Sequence, residues 1–213
     1  MSSEIRARLA SRSAAAALSL TEPLAGQLVT YYELLQRWNR KINLTAISQP
    51  EMAIDRLLLE PLAAAAHLPI GETLADLGSG GGSPAIPLAL ALSASRLLMI
   101  ESRSRKASFL REAARTVGLD AEVLAIRFED VLTQSDYQEW AGVVSMRAVK
   151  PDEDTLSLAT WLAKSGGTIG LITSSLEAGR FDANRFGCST WNITPSAMLV
   201  TFHVKQSRLG HTT

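Results

Sequence analysis

From Thr73 onward, short apolar runs alternate with longer amphipathic stretches. That alternation constrains the fold most. Strands covered on both faces read as continuous apolar runs, and parallel neighbours need a helical crossover between them. The runs fall at Thr73–Leu77, Arg96–Ile100 and residues 122–126, 143–146 and 168–173. They predict an α/β domain with a mainly parallel sheet. A β-rich segment at 198–204, paired with 189–193, is expected as its antiparallel edge.

Ahead of this region the period is helical. Leu24, Leu28, Tyr31, Leu35 and Trp38 recur on one face behind Thr21-Glu22-Pro23, which supplies a cap, an acid and a first-turn proline. A second helix is expected from Glu51, with Met52, Leu58, Leu62 and Ala65 apolar and Pro61 as a kink or interruption. Residues 1–70 therefore read as a helical extension and 71–213 as the sheet domain, the two forming one compact unit. The first twenty residues carry arginines and the apolar run 14–18, but that run is short and Glu4 breaks the bias. A frayed helix is expected there rather than a targeting peptide. Between the strands, Ser104 should cap a helix that buries Ala107, Leu110, Ala114 and Val117 and stops at Gly118, with a further helix over 153–163.

Composition closes off several function classes. The 21 Lys and Arg balance the 21 Asp and Glu, so any contact with a polyanion has to be local. Cys188 is the single cysteine and can form neither an internal disulfide nor a zinc cluster, which suits the cytosol. No apolar run reaches membrane-spanning length. His67, His203 and His211 are scattered and predict no metal site.

At the end of the first strand stands Asp76-Leu77-Gly78-Ser79-Gly80-Gly81-Gly82. A strand that ends in Asp and turns through glycines leaves bare backbone for a nucleotide-like ligand. The D-x-G-x-G-x-G spacing resembles the cofactor loop of S-adenosylmethionine-dependent methyltransferases. Asp76, Gly78, Gly80, Gly82 and Ser83 are its candidate cofactor residues, with Ser83 as N-cap and Pro84 opening a helix whose N-terminus faces the pocket. Glu101 ends the second strand, about 20 residues beyond the loop, where an acidic side chain accepts from ribose hydroxyls. Gly80-Gly81-Gly82-Ser83-Pro84-Ala85 also fits G-x-G-x-x-[GA], so a dinucleotide-binding oxidoreductase stands as the alternative.

A longer match is more specific. Residues 34–45, ending Trp38-Asn39-Arg40-Lys41-Ile42-Asn43-Leu44-Thr45, resemble the signature of the RsmG (GidB) family. Glu101-Ser102, Arg105-Lys106, Phe109-Leu110-Arg111, Arg127-Phe128-Glu129 and Arg147-Ala148 follow in that family's order, so the likeness covers roughly residues 24–204. The resemblance implies a Rossmann-like class I methyltransferase domain behind helices, with S-adenosylmethionine as cofactor. It also implies guanine N7 of small-subunit ribosomal RNA as methyl acceptor, and cofactor contacts at Gly78, Glu101, Phe128, Glu129 and Arg147. This chain departs from the family at Ser83, where a large apolar residue is usual, and at Ala85, usually Gly. Leu57-Leu58-Leu59-Glu60-Pro61 replaces an H-x-x-D-S block, and Thr173 replaces a lysine.

The residues also limit the chemistry. Guanine N7 carries an exposed lone pair and needs no proton removed before it attacks a sulfonium methyl. Alignment of the reactants and exclusion of water then suffice, with no dedicated base. The chain has no [DN]-P-P-[FYW] run for an exocyclic amine and no Cys directly following the fourth strand for attack on a pyrimidine. Arg147, ending that strand, is the candidate catalytic residue where cofactor and substrate meet. Arg37, Arg40 and Lys41 around Trp38, and Arg105 and Lys106 within a basic stretch that includes Arg103, Arg111 and Arg115, are the candidate contacts to ribosomal RNA or the small subunit. Trp38 continues the apolar stripe and is expected in the core.

Overall fold

The computed structural model describes residues 2–174, Ala178 and 188–204. Among these, β1 (Thr73–Leu77), β2 (Arg96–Ile100), β3 (Ala121–Leu124), β4 (Ala141–Arg147), β5 (Ala163–Thr173), β6 (Cys188–Thr194) and β7 (Ala197–His203) form one sheet in the order β3-β2-β1-β4-β5-β7-β6. The first five strands are parallel, and β7 and β6 pair antiparallel beyond β5. The predicted strands are all present, although β3 lies earlier than 122–126 and β4 and β5 begin earlier than expected. The chain runs outward from β1 through β2 to β3, then returns to start β4 on the other side of β1. That reversal opens a crevice at the C-terminal ends of β1 and β4.

The helices are α1 (Ser2–Ala15), α2 (Glu22–Ile42), α3 (Pro50–Ile54), α4 (Glu60–Ala65), α5 (Ala85–Ala91), α6 (Ser104–Val117), α7 (Phe128–Val131) and α8 (Glu153–Leu162). Strand alternation divides the core. Leu74, Leu97, Met99 and Val143 pack with α2, α4, α5 and α6, while Ala75, Leu77, Leu98, Ile100, Val144 and Met146 pack with α8 on the other face. The predicted stripe of α2 buries Leu28, Tyr31 and Leu35, so the helical extension and the sheet share one apolar cluster.

Two local expectations need correction. Ser104 lies inside α6, and Arg103 occupies the N-cap without a side-chain bond. The first helix is docked rather than frayed. Ile5, Leu9 and Ser13, spaced four apart, are buried against α2 and α3, and the two apolar side chains contribute roughly 1.5–3 kcal/mol each. Arg8 and Arg12 pair with Glu51 and Asp55 at that interface.

The interruption near Pro61 is a widened, π-type turn over Asp55–Leu59, between α3 and α4. The Glu60 N–H reaches back five residues to the Asp55 carbonyl. Pro61 has no N–H, so it gives nothing to the carbonyls four and five residues before it, those of Leu57 and Arg56. Both carbonyls find side-chain donors in the crevice.

Candidate active site

A cavity of about 860 Å³ opens over the C-terminal ends of the parallel strands. Gly78 and Gly80 enter it from the loop after β1, Glu101 from the end of β2, Phe128 and Glu129 from α7, and Arg147 from the end of β4. Sheet register places these ends level. Asp76 lies opposite Met99 and Ser145, and Leu77 lies opposite Ile100 and Met146.

The glycine turn is held from three sides. The Gly78 and Ser79 N–H groups donate to the Ile100 carbonyl at 2.9 and 3.0 Å. Glu101 accepts from the Gly80 N–H at 3.0 Å through Oε2 and from the Arg103 N–H at 2.8 Å through Oε1. Buried Tyr31 on α2 donates its hydroxyl to the Gly81 carbonyl at 2.6 Å, and burial raises that phenol's pKa. Leu44 stands behind the turn, its carbonyl 3.2 Å from where a Cβ on Gly81 would lie. Part of the 34–45 signature thus backs the loop, and Leu44 also borders the cavity.

Gly78 shows why the turn excludes side chains. Its φ is +73°, and a Cβ there would stand 2.8 Å from Val149 Cγ2. Gly82 also has positive φ, but it faces Ile86, Leu110 and Tyr31 behind the cavity wall. Asp76 is likewise fully buried and does not line the cavity. Its Oδ1 accepts from Ser145 Oγ at 2.5 Å, while Oδ2 has no partner among the described residues. Burial pushes this carboxyl up to about 7, against the opposing hydrogen bond from Ser145.

Ser83 lines the cavity but caps nothing. Its hydroxyl donates to the Leu57 carbonyl at 2.9 Å, Pro84 takes the N-cap position, and α5 starts at Ala85. Neither Pro84 nor Ala85 borders the cavity, so the expected helix pole does not face it. Arg147 donates to the Arg56 carbonyl and to Glu60. These are the two carbonyls to which Pro61 has no N–H to give, here bonded by Ser83 and Arg147. The Arg147 side chain is 16% exposed and that of Glu60 is 2% exposed. Burial lowers the Arg147 pKa, with Glu60 acting in the opposite direction.

Beyond Arg147, a second cavity of about 350 Å³ shares Arg56, Arg147, Ala148 and Val149 with the first. Glu60, Lys150, Thr173 and Ser196 also border it, so two of the positions that depart from the family pattern, Glu60 and Thr173, lie on this side, while Leu57 and Ser83 line the first cavity. Glu60 accepts there from Thr194 and Ser196 hydroxyls, both at 3.4 Å.

The RNA candidates divide. Lys106 lines the large cavity together with Arg103. Arg105 is exposed, and Arg111 donates to the Val123 carbonyl at 2.8 Å. Arg37, Arg40 and Lys41 border a separate hollow with Trp38 and Glu112. Trp38 is half-buried, its ring 5.8 Å from that of Phe109. His67 stacks on Trp191 at 4.3 Å, His203 Nδ1 lies 3.3 Å from Thr168 Oγ1, and His211 lies outside the described residues. Among the described residues, no three His, Cys, Asp or Glu side chains are placed to hold a metal ion.

The family described as rRNA small subunit methyltransferase G matches residues 25–208. This chain belongs to that family. Ribosomal RNA small subunit methyltransferase G of Nitrosospira multiformis is 38% identical over 172 residues, covering 80% of this chain and 77% of the relative. The protein of the same description from Neisseria meningitidis is 35% identical, covering 77% of each. Among solved structures, a SAM-dependent methyltransferase from Aquifex aeolicus superposes with TM-score 0.54 at 15% identity, over 70% of this chain and 93% of that one. The Thermus thermophilus 16S rRNA N2 G1207 methyltransferase superposes with TM-score 0.51 at 13% identity, over 83% and 43%. Family membership displaces the dinucleotide alternative, and the structural likenesses establish the Rossmann-like fold.

The site residues suit the cofactor of such a family. The large cavity meets a bare glycine turn, an acidic side chain at the end of β2 and an aromatic beside Gly78. Asp76 Oδ2 is a buried acceptor left over behind the turn. Reading the sequence alone missed Tyr31 as a brace and Arg56 as a wall residue. Tyr31 had only its place in an apolar stripe to mark it. Arg56 had only its closeness to the departing 57–61 block.

Proposed function

We propose that this protein transfers the methyl group of S-adenosylmethionine to N7 of a guanine in small-subunit ribosomal RNA. One observation carries the reading: the glycine turn, Glu101, Phe128, Glu129 and Arg147 border a single cavity that continues past Arg147 into a second. A methyl donor held in the first and a base entering from the second would meet beside Arg147. When bound, S-adenosylmethionine supplies an electrophilic methyl on sulfur.

This chain's own residues do the rest. Gly78 and Gly80 leave room against the backbone. The Glu101 carboxylate, already oriented by two main-chain N–H groups, keeps acceptor capacity for ribose hydroxyls. Phe128 and Glu129 flank the adenine position. Arg147, fixed by Glu60 and the Arg56 carbonyl, offers positive charge at the junction without leaving its place. Asp76 and Gly82 act from behind, shaping the turn. No group has to abstract a proton from N7.

Arg37, Arg40, Lys41, Arg105 and Lys106 guide the RNA by local charge. Residues 1–70 and 71–213 work as one unit, since Tyr31 and Leu44 of the extension brace the cofactor turn. No described helix is long and apolar enough to cross a membrane. The proposed RNA substrate and the single cysteine support a cytosolic setting.

The test is radiolabelled methyl transfer to small ribosomal subunits from a strain lacking the modification, with the product base identified by cleavage at 7-methylguanine. Label released at that base supports the reading. Subunits without counts, or label on another atom, reject it.

A further inference from the structure

Arg56 lines both cavities at their junction. Its side chain is exposed, and among the described residues its guanidinium has no carboxylate partner. Its main chain, by contrast, is fixed. The Arg56 carbonyl accepts from Arg147 and the next carbonyl, that of Leu57, accepts from Ser83. The anchored main chain sets where the exposed guanidinium can reach, while holding it on an anion still costs side-chain freedom.

Charge at the junction is unbalanced. Arg56 stands close enough to Arg147 to disfavour its proton, yet the carboxylate beside them, Glu60, is committed to Arg147, Thr194 and Ser196. Lys150, on the wall of the second cavity, is paired with Asp152 at 3.4 Å. Two guanidiniums facing one carboxylate leave a position where an anion would be held.

We infer that the Arg56 guanidinium binds a phosphate oxygen of the nucleotide being methylated. This rests on the RNA methyltransferase reading above. A fork from arginine to the guanine O6 and N7 edge would cover the nucleophile, so the base itself is not the partner. The carboxylate of the cofactor is the other anion of suitable chemistry. Arg56 also borders the second cavity, which the glycine turn does not reach, and this favours the phosphate.

The experiment compares wild type with Arg56→Met and Arg56→Lys. The structural bond from Arg56 is made by its carbonyl and survives either change. For small subunits lacking the modification, Arg56→Met should raise KM about tenfold while kcat moves less. It should also reduce the slope of log affinity against log salt by about one, with Arg56→Lys recovering part of both. S-adenosylhomocysteine binding by calorimetry should stay within about twofold of wild type. Unchanged KM and salt slope would overturn the inference. A matching loss of S-adenosylhomocysteine affinity would also overturn it, by assigning Arg56 to the cofactor carboxylate. If wild type itself transfers no methyl to subunits, the function and this inference fall together. If wild type transfers and Arg56→Met equals it, the inference alone falls.

Discussion

Arg147, at the end of β4, donates a hydrogen bond to the main-chain carbonyl of Arg56, to which Pro61 has no N–H to give. The bond joins the helical extension to the crevice of the sheet. It exists because Pro61 interrupts the helical hydrogen-bond ladder five residues later. The Glu60 carboxylate next to that proline completes the clasp on the same guanidinium.

Glu60→Ala should therefore do more than remove an exposed charge. It strands Arg147 in a largely buried site and is expected to lower stability by about 3 kcal/mol. Glu60→Gln, which still accepts from Thr194 and Ser196, should cost less. Urea unfolding midpoints of the two variants check the order, and equal midpoints would contradict it.

Tyr31→Phe removes one hydroxyl from a buried contact with the Gly81 carbonyl. The orphaned carbonyl should cost about 1–2 kcal/mol. Because the turn shapes the cavity proposed for the cofactor, S-adenosylhomocysteine affinity should fall along with Tm. Calorimetry showing full affinity in a destabilised protein would separate the brace from the site.

Gly78→Ala meets both a positive φ and Val149. A strain of roughly 1–3 kcal/mol there should weaken S-adenosylhomocysteine binding about tenfold or more. Gly118 makes the control. It caps α6 at φ +77° with nothing near its Cβ position, so Gly118→Ala should cost stability and spare affinity.

Asp76 should give the protein a pH-dependent stability of unusual sign for a carboxylate. Burial raises its folded pKa to about 7, so between the ordinary carboxylate range and that value the folded state holds a proton that the unfolded chain has lost. The stability it contributes is present at acid pH and is lost as pH rises through about 7. Denaturant midpoints at pH 5 and pH 8 should fall more for wild type than for Asp76→Asn. Parallel behaviour of the two proteins would place this titration elsewhere.

Much of this fold was legible from local pattern. The apolar runs from Thr73 onward marked the parallel strands because both faces of that sheet are covered, and the α2 stripe foretold the burial of Tyr31 and Leu35. Gly78, Glu101 and Phe128 could be located because strand ends in such a sheet share one edge. Local signals failed where a partner lay far along the chain. Ser83 looked like a cap because its neighbours suit one, yet its hydroxyl meets Leu57, 26 residues away. Ser13 and Leu9 showed no strong stripe, and only the presence of α2 and α3 made their face a core.

By itself the sequence determined the parallel sheet, the glycine turn and the family, since these depend on hydrophobic period, backbone freedom and residue order. Tertiary structure decided that Gly82 and Asp76 stand behind the cavity wall and that Arg147 is bound to the helical extension. It also left Arg56 at the junction with its charge unmatched. These outcomes depend on which groups meet across distant segments, and on which carbonyls a proline leaves for others to bind.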